Sequence, residues 1–297
     1  MNKGNRFILR MALLLAVLFG GVVARIAAQE AGGAECRAVP SAILNRAVRY
    51  CALLPPSFAT DKTRRFPIVY SLHGLGANEQ WLLTGGAWEL VEQARDQNKI
   101  GEFVMVSPDG GRSFYVNSRD GKERYEDFFI KEFVPAIEKR YRAGGTRQAR
   151  ALSGFSMGGY GALRFALQYP QMFSAVAVHS AALFEELPED ATVLFGRNFQ
   201  AFGNPLDSAY WNQNNPLSLV QSAAGLSQSL AQSKIYFDCG LQDDYGFDAG
   251  TRRLHEILDR RNIPHEFHLY PGGHNWQYVA DHFGESLEFL SRALGLK

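Results

Sequence analysis

A serine lies in a glycine-rich turn between a predicted strand and a predicted helix. The motif Gly-Phe-Ser-Met-Gly-Gly occupies residues 154–159, directly after the strand-like residues 149–152. A turn this tight holds Ser156 in a strained backbone conformation that exposes its hydroxyl, and glycine neighbours remove side-chain clashes. The N-terminus of the following helix offers N–H groups to developing negative charge. We therefore predict that Ser156 is a nucleophile; the alternative is a tight glycine-rich turn without chemistry.

A nucleophilic serine needs a base, and the chain has seven histidines. His274 lies in the glycine-rich loop 270–276, between the last predicted strand and the last predicted helix. A loop at the carboxyl end of a strand can deliver an imidazole to the serine, so we predict His274 as the base rather than a structural loop histidine. His282, inside the last helix, is the weaker candidate. His73 is more typical of a residue that shapes its own loop.

An acid that orients the histidine should follow the penultimate strand, because the chain order in such an arrangement is Ser, then Asp or Glu, then His. Asp243 lies three residues beyond Gly240, where the chain has left the sheet and can turn toward the imidazole. Asp244 is an alternative, since adjacent loop residues point in different directions. Asp238, still within the strand, is the third candidate.

Acyl transfer to a serine also requires hydrogen-bond donors for the tetrahedral oxyanion. The backbone N–H of Met157, directly after the nucleophile, is the first predicted donor. The second should come from the loop after an early strand, and the sequence Leu-His-Gly-Leu-Gly at residues 72–76 has the required glycine content. We predict the N–H of Leu75 as this second donor.

Short apolar segments alternate with amphipathic segments of helical length along the chain from Arg49 onward. Such alternation predicts an α/β fold with a mainly parallel sheet and helices on both faces, that is, a doubly wound sheet. The predicted strands are Val48–Leu54, Pro67–Leu72, Phe103–Ser107, Ala149–Gly154, Ser174–His179, Lys234–Asp238 and Glu266–Tyr270. The predicted helices are Trp88–Asn98, Glu126–Tyr141, Met157–Gln168, Asp248–Arg261 and Trp276–Leu294.

Residues 183–233 interrupt this alternation. The segment is long, rich in Asn, Pro, Ser and Gln, and only weakly periodic. A segment of this length inside one domain is usually functional or has local helices of its own, so we predict a cap inserted over the site. With no linker or repeat elsewhere, residues 29–297 are predicted to form a single domain.

The amino end has the layout of a secretory signal peptide. Three basic residues within the first ten precede an uncharged stretch of 13 residues, Met11 to Val23, and small residues follow at positions 27–28. We predict cleavage after residue 28 and a secreted or periplasmic protein with no stable membrane span. An uncleaved anchor is the alternative, although 13 residues fall short of the roughly 20 that span a bilayer. A cytoplasmic protein is the third.

Composition and charge are those of an ordinary globular protein. The 297 residues carry a formal charge of +1, which argues against a nucleic-acid binder. Removing residues 1–28 takes away four basic residues and no acidic residue, so the formal charge becomes −3.

Export to an oxidising compartment would permit disulfide bonds among the three cysteines. Cys36 and Cys51 flank a possible hairpin turn and are either a cross-strand disulfide or two buried thiols; Cys239 is predicted to be a core residue.

Other chemistries have little support in the sequence. There is no HExxH motif, and His265 and His268 are expected to face opposite sides of a strand. Nothing matches a phosphate-binding P-loop. We therefore predict no metal and no cofactor.

From about Ala38 onward the chain resembles the Putative esterase family of α/β-hydrolases, which includes esterase D/S-formylglutathione hydrolases, feruloyl esterases and the antigen 85 mycolyltransferases. The segments that carry the resemblance are residues 72–74, 113–118, 125–127, 154–159, 239–243 and 271–276, together with 202–205 and 215–217 in the cap.

The resemblance implies an α/β-hydrolase fold and favours Asp243, because the acid of such families lies in a Gly-x-x-Asp step. The resemblance to antigen 85 enzymes also suggests a site-adjacent position for Glu126. Asp244 and Trp276 are the other residues predicted to lie next to the site. Glu126 begins a predicted helix, where an acidic side chain interacts favourably with the helix dipole. Stabilisation of the helix is therefore the alternative explanation for this residue. Export argues against the cytosolic hydrolysis of S-formylglutathione. Asp in place of the Glu of antigen 85 enzymes weakens the mycolyltransferase interpretation.

These observations lead to a secreted serine esterase that cleaves a small-molecule carboxylic ester through an acyl-enzyme. One alternative is an acyltransferase of antigen 85 type that moves an acyl group to a sugar or another alcohol. The alternative of another class is a non-catalytic envelope- or carbohydrate-binding protein on the same scaffold. The acyl length, the alcohol and the oligomeric state are not predicted.

Overall fold

Eight strands form one mainly parallel sheet in the computed structural model, which describes residues 33–187, 200–222 and 232–296. The strands are β1 (Ala34–Ser41), β2 (Arg46–Leu53), β3 (Ile68–Leu72), β4 (Val104–Pro108), β5 (Arg150–Phe155), β6 (Ala175–His179), β7 (Lys234–Gly240) and β8 (Glu266–Tyr270). Their order across the sheet is β1-β2-β4-β3-β5-β6-β7-β8. β2 is antiparallel to β4, whereas the pairs from β4 through β8 are parallel.

The helices flank this sheet. They are α1 (Ser57–Thr60), α2 (Trp81–Thr84), α3 (Ala87–Asp96), α4 (Tyr125–Phe128), α5 (Val134–Tyr141), α6 (Met157–Gln168), α7 (Ser208–Asn214), α8 (Pro216–Ser222), α9 (Phe247–Arg260) and α10 (Trp276–Ala293). α6 packs against β3, β5 and β6, while α10 packs against β6, β7 and α3. The predicted α/β fold with a mainly parallel sheet is therefore confirmed.

The central strands are buried on both faces. Every residue of β3 is buried, and Ile68, Tyr70 and Leu72 belong to one large apolar cluster. The intervening Val69 is equally buried on the other face, since successive side chains of a strand point in opposite directions. This is why central parallel strands such as β3 are nearly continuous apolar segments in the sequence.

The helix predicted at Glu126–Tyr141 is interrupted. Between α4 and α5 the residues Phe129–Phe133 form one π-helical turn. Pro135, near the start of α5, has no N–H to donate to the carbonyl four residues earlier. The α-helical hydrogen-bond pattern is broken there, and the wider turn takes its place.

The amino-terminal hairpin contains the disulfide that the sequence left open as one of two possibilities. β1 and β2 are hydrogen-bonded neighbours joined by a turn at residues 42–45. Cys36 and Cys51 are bonded as a disulfide, with their Cα atoms 4.0 Å apart. Cys239 is a free, buried thiol, as predicted.

Two predictions concern segments that lie wholly or partly outside the described residues. The signal peptide at residues 1–28 lies outside the described residues and stays a prediction. Within the predicted cap, the described residues 200–222 include α7 and α8, so this segment does have local helices. Residues 188–199 and 223–231 lie outside the described residues, and the covering of the site stays a prediction.

Residues from Cys36 to the carboxyl end form one compact unit. Among the described residues, no helix is both long and apolar enough to cross a bilayer.

Candidate active site

Ser156 lies at a tight turn between β5 and α6. Its backbone has φ 56° and ψ −118°, in the region that non-glycine residues rarely adopt. The strained conformation is held from both sides: the Ser156 N–H donates to the carbonyl of His179, and its carbonyl accepts from the N–H groups of Tyr160 and Ala182. These hydrogen bonds place the hydroxyl at the carboxyl edge of the sheet. The strained backbone predicted for Ser156 is therefore confirmed.

The glycines around Ser156 allow backbone to approach backbone. A Cβ on Gly158 would lie 1.9 Å from the carbonyl oxygen of Leu72, and one on Gly154 would lie 2.3 Å from the carbonyl oxygen of Gly158. Real Cβ atoms essentially never come within 3.0 Å of another heavy atom. The first turn of α6 can therefore sit against the ends of β3 and β5 only because these positions lack side chains.

Three side chains predicted from the sequence form one hydrogen-bonded chain. The Oγ of Ser156 lies 2.9 Å from Nε2 of His274, and Nδ1 of His274 lies 2.7 Å from Oδ2 of Asp243. The carboxylate of Asp243 can only accept, so Nδ1 of His274 carries the proton and Nε2 is free to accept from the serine. This is the arrangement in which a histidine acts as a general base toward serine.

The carboxylate of Asp243 is kept ionised by its surroundings. Burial by itself raises the pKa of Asp243, but the hydrogen bond and charge of His274 and the N–H groups of Tyr245 and Phe247 outweigh burial. The pKa of Asp243 is therefore below its ordinary value. A carboxylate that stays charged holds the imidazole in one tautomer and stabilises the imidazolium.

The other two acids weighed against Asp243 have different partners. Asp244 is exposed, and its Oδ2 accepts the backbone N–H of His274 at 3.1 Å, so it holds the loop rather than the ring. Asp238 is fully buried and accepts hydrogen bonds from the hydroxyls of Tyr236 and Tyr278, each at 2.9 Å. Of the three candidates, only Asp243 contacts the imidazole of His274.

Three aromatic residues that the sequence analysis missed surround the imidazole of His274. The ring of Phe155 stacks on it with 4.7 Å between centroids, and the rings of Tyr245 and Phe247 meet it edge-on at 4.9 and 5.1 Å. Each lies within four residues of a predicted catalytic residue, which is the signal that could have indicated them. They leave the imidazole side chain 7% exposed and fix its plane.

The two predicted oxyanion donors, the backbone N–H groups of Leu75 and Met157, belong to segments that adjoin the candidate nucleophile. Within the described residues, neither the Leu75 nor the Met157 N–H donates a hydrogen bond. A Cβ on Gly74 would lie 3.3 Å from Cβ of Ser156, so the loop that contains Leu75 passes directly beside the serine.

His73 holds the loop of Leu75 in place, as its sequence position indicated. Its Nδ1 donates to the carbonyl of Gly74, and its Nε2 accepts the N–H of Gly110, both at 2.8 Å. Burial lowers the pKa of His73, which keeps the ring in the neutral form that this pair of hydrogen bonds requires.

Comparison with known proteins identifies the family of this chain. The family model described as "Putative esterase" matches residues 41–290. The chain belongs to this family. It is 30% identical over 246 residues to Esterase Rv1288 of Mycobacterium tuberculosis, a match that covers 75% of this chain and 51% of that protein. The chain thus spans about half the length of this curated relative.

Two further relatives are similar over more of their length. The acetyl esterase of Caldicellulosiruptor saccharolyticus is 27% identical over 233 residues, which cover 75% of this chain and 83% of that protein. A solved ferulic acid esterase is 27% identical, with a TM-score of 0.78 over 88% of this chain and 98% of its own. The predicted resemblance to the esterase family is confirmed.

Within this esterase fold, Glu126 lies in a buried ion pair rather than on an exposed first helical turn. Its carboxylate accepts from the guanidinium of Arg164 at 2.8 Å and from the hydroxyl of Tyr169 at 2.7 Å. Arg164 in turn donates to Asn214 of α7 at 2.9 Å. Glu126 thus links α4, by way of Arg164 in α6, to the described part of the predicted cap. Its site-adjacent role stays a prediction.

Trp276 begins α10, two residues after His274. Its ring packs against Gly85, where a Cβ would lie only 2.6 Å from it, and meets the ring of Trp81 edge-on at 5.8 Å. These contacts fix the first turn of α10 against the segment between α2 and α3. Trp276 therefore anchors the loop that carries His274.

A second Ser–His–Asp set, which the sequence analysis missed, lies buried beneath the site. Nε2 of His179 is 2.9 Å from Oγ of Ser286, and its Nδ1 is 2.8 Å from Oδ2 of Asp238. The hydroxyl of Ser286 donates to the carbonyl of Phe283, so its proton points away from the imidazole. All three residues of the set are fully buried, and they tie α10 to β6 and β7.

The esterase fold also has a cavity of about 480 Å³ beside the loop after β4. Its lining includes charged residues of both signs, among them Arg46, Arg112 and Glu123, and it borders Gly110, the partner of His73. Ser156, Asp243 and His274 do not line it. The hydrogen-bonded side chains, rather than this cavity, identify the candidate site.

The close approach at Gly158 predicts the outcome of a pair of glycine substitutions. Gly158→Ala should lower the free energy of unfolding by about 3 kcal/mol, because the added methyl group meets the backbone of Leu72. Gly284→Ala is the matched control: it lies in α10 with nothing within 4 Å of a Cβ, and alanine there should stabilise by about 0.5–1 kcal/mol. Urea denaturation measures both. Equal effects of the two substitutions would contradict the steric argument.

Proposed function

We propose that the protein is a serine carboxylesterase that works through an acyl-enzyme on Ser156. The observation that carries the proposal is the hydrogen-bonded chain from Ser156 through His274 to Asp243 at a strained strand-to-helix turn. Membership of the esterase family supports the same chemistry. The proposed substrate is a small-molecule carboxylic ester, and the reaction uses no metal and no cofactor.

The proposed reaction begins when Oγ of Ser156 attacks the ester carbonyl and Nε2 of His274 takes its proton. The charge of Asp243 stabilises the imidazolium that forms. The carbonyl oxygen becomes an oxyanion, for which the N–H groups of Leu75 and Met157 are the proposed donors; one such donor is worth about 3–4 kcal/mol. Return of the proton to the leaving oxygen releases the alcohol, and water then hydrolyses the acyl-enzyme by the same steps.

Apolar surface beside the site supports a substrate with an apolar acyl or aryl part. The side chain of Tyr245, two residues after Asp243, is 53% exposed. The ring of Tyr245 also meets the imidazole of His274. A ferulic acid esterase and an acetyl esterase among the relatives are consistent with short or aromatic acyl groups.

We also propose that the protein is exported and that residues 1–28 are removed. The charge and apolar pattern of these residues supports export, and the disulfide between Cys36 and Cys51 is of a kind that forms in oxidising compartments.

Two serines hydrogen-bonded to histidines allow a controlled test of the nucleophile. Ser156→Ala should lower kcat for p-nitrophenyl acetate on the order of 10⁶-fold and abolish labelling by a fluorophosphonate probe. Ser286→Ala, in the buried set, should leave both within about 3-fold, since no substrate reaches it. Turnover or labelling that survives in Ser156→Ala refutes the proposal.

The two adjacent acids should respond differently to loss of charge. Asp243→Asn should lower kcat on the order of 10³–10⁴-fold, because it removes the carboxylate that holds the imidazole tautomer. Asp244→Asn keeps the side-chain volume and touches only the His274 backbone, so kcat should change less than about 10-fold. Steady-state kinetics on one ester compare them. The assignment of Asp243 is wrong if the two variants lose activity equally.

Intact mass and thiol counting test export and the disulfide together. Protein recovered from the periplasm or culture fluid should lack residues 1–28 and, when denatured without reductant, should bind one alkylating label, at Cys239. Reduction should raise the count to three. Residues 29–297 expressed in a reducing cytosol are the control and should show three from the start. A retained leader contradicts the export proposal, and three labels on the exported protein contradict the disulfide.

A further inference from the structure

Two histidines and an aspartate meet where α9 ends and β8 begins, outside the candidate active site. His255 and Asp259 are four residues apart on α9 and so lie on the same side of the helix. His265 immediately precedes β8. One nitrogen or oxygen from each of the three lies within 4.8 Å of those of the other two.

Both imidazoles face the same carboxylate. Nε2 of His255 is 3.5 Å from Oδ2 of Asp259, and Nε2 of His265 is 3.8 Å from Oδ1. These separations are longer than a good hydrogen bond. They are close to the roughly 3.3 Å between two ligands on a tetrahedral zinc ion, which has bonds of about 2.0–2.1 Å.

The hydrogen bonds between the two rings leave a nitrogen acceptor of His255 facing the carboxylate of Asp259, which is also an acceptor. Nδ1 of His265 donates to the carbonyl of Ile263 at 2.8 Å, so Nε2 of a neutral His265 has no proton. That nitrogen lies 2.8 Å from Nδ1 of His255 and accepts from it. Nε2 of a neutral His255 is then a lone pair directed at the carboxylate of Asp259. A cation between them resolves this contact.

Packing holds the ligand atoms in place. The ring of His265 stacks on Phe237 with 5.5 Å between centroids, and the ring of His255 stacks on Phe267 at 4.3 Å. The bond from His265 to the Ile263 carbonyl is the second contact by which metal-binding histidines are usually oriented. Only the Asp259 side chain is largely exposed, at 62%, so an ion enters from that side.

We propose that His255, Asp259 and His265 bind one divalent transition-metal ion, with zinc as the best match and water completing the coordination. Two imidazoles with a carboxylate favour zinc over magnesium or calcium, which prefer oxygen ligands. The proposed ligand atoms are Nε2 of His255, Nε2 of His265 and a carboxylate oxygen of Asp259. On binding, the hydrogen bond from Nδ1 of His255 to Nε2 of His265 must break, so that both Nε2 lone pairs are directed at the ion.

The proposed metal site has a structural role. His265 precedes β8 at one end of the strand, and His274 follows it at the other, so the site and the candidate active site lie at opposite edges of the sheet. α9 and β8 together connect the loop of Asp243 to the loop of His274. An ion at their junction joins the end of the helix to the start of the strand. This inference is independent of the proposed esterase activity.

The test uses the full metal-free chain, titrated with zinc chloride by calorimetry and heated with and without zinc. We expect one zinc ion per chain and a Tm raised by about 5 °C at a zinc concentration near 100 times Kd. His255→Gln and Asp259→Asn should each weaken binding at least about 10-fold. Asp259 is exposed, so its variant should fold normally without zinc.

Two controls separate this site from other zinc-binding groups. His268→Gln changes another histidine of β8 and should keep wild-type affinity. His274→Ala removes the imidazole of the candidate active site and should still bind one ion. The proposal is overturned if the wild type binds no zinc below about 1 mM, or if His255→Gln and Asp259→Asn bind it as tightly as wild type.

Discussion

Contact between the first turn of α6 and the carbonyl of Leu72 is the constraint on which the placement of the candidate nucleophile depends. This contact requires a hydrogen atom in place of a side chain at Gly158, and the preceding turn passes through positive φ at Ser156. The same approach brings the Leu75 loop beside the serine and points the start of α6 at the same space. One steric requirement thus fixes the hydroxyl and the two candidate oxyanion donors together.

The other two side chains of the site depend on the sheet in a different way. Asp243 and His274 follow β7 and β8, whose parallel pairing brings both loops to the same edge. The buried Asp238 then joins β7 to α10 through the hydroxyl of Tyr278, which fixes the helix that follows the His274 loop. The buried hydroxyls of Tyr236 and Tyr278 compensate part of the cost of burying this carboxylate.

Ser286 and Ser156 show why interatomic distances alone do not identify a nucleophile. Each serine lies 2.9 Å from a histidine Nε2, and each histidine lies within 2.8 Å of a carboxylate. Ser286, however, lies within a regular helix, and its proton is used by the carbonyl of Phe283. Backbone strain and access to solvent distinguish the two, and the sequence marks the strained turn by its glycines.

Local patterns therefore predicted much of the fold and the site, and long-range contacts explain what was missed. The parallel strands and the turn at Ser156 follow from residues close in sequence. Asp243 was predicted from its place three residues after Gly240, but excluding Asp244 required the backbone directions of the loop, which residue types do not specify. Pro135 signalled the π-helical turn, but its effect depends on hydrogen bonds of the folded helix. The pairing of His179 with Ser286 spans 107 residues, so no local pattern could reveal it.

The disulfide of the amino-terminal hairpin has a consequence for the solubility of the protein. Within the described sheet, β1 is an edge strand and is paired with β2 alone. Loss of β1 would leave β2 with unpaired N–H and C=O groups, a template on which a second molecule could add a strand. The bond from Cys36 to Cys51 keeps β1 attached to β2, and so keeps the N–H and C=O groups of β2 paired and closed to a second molecule.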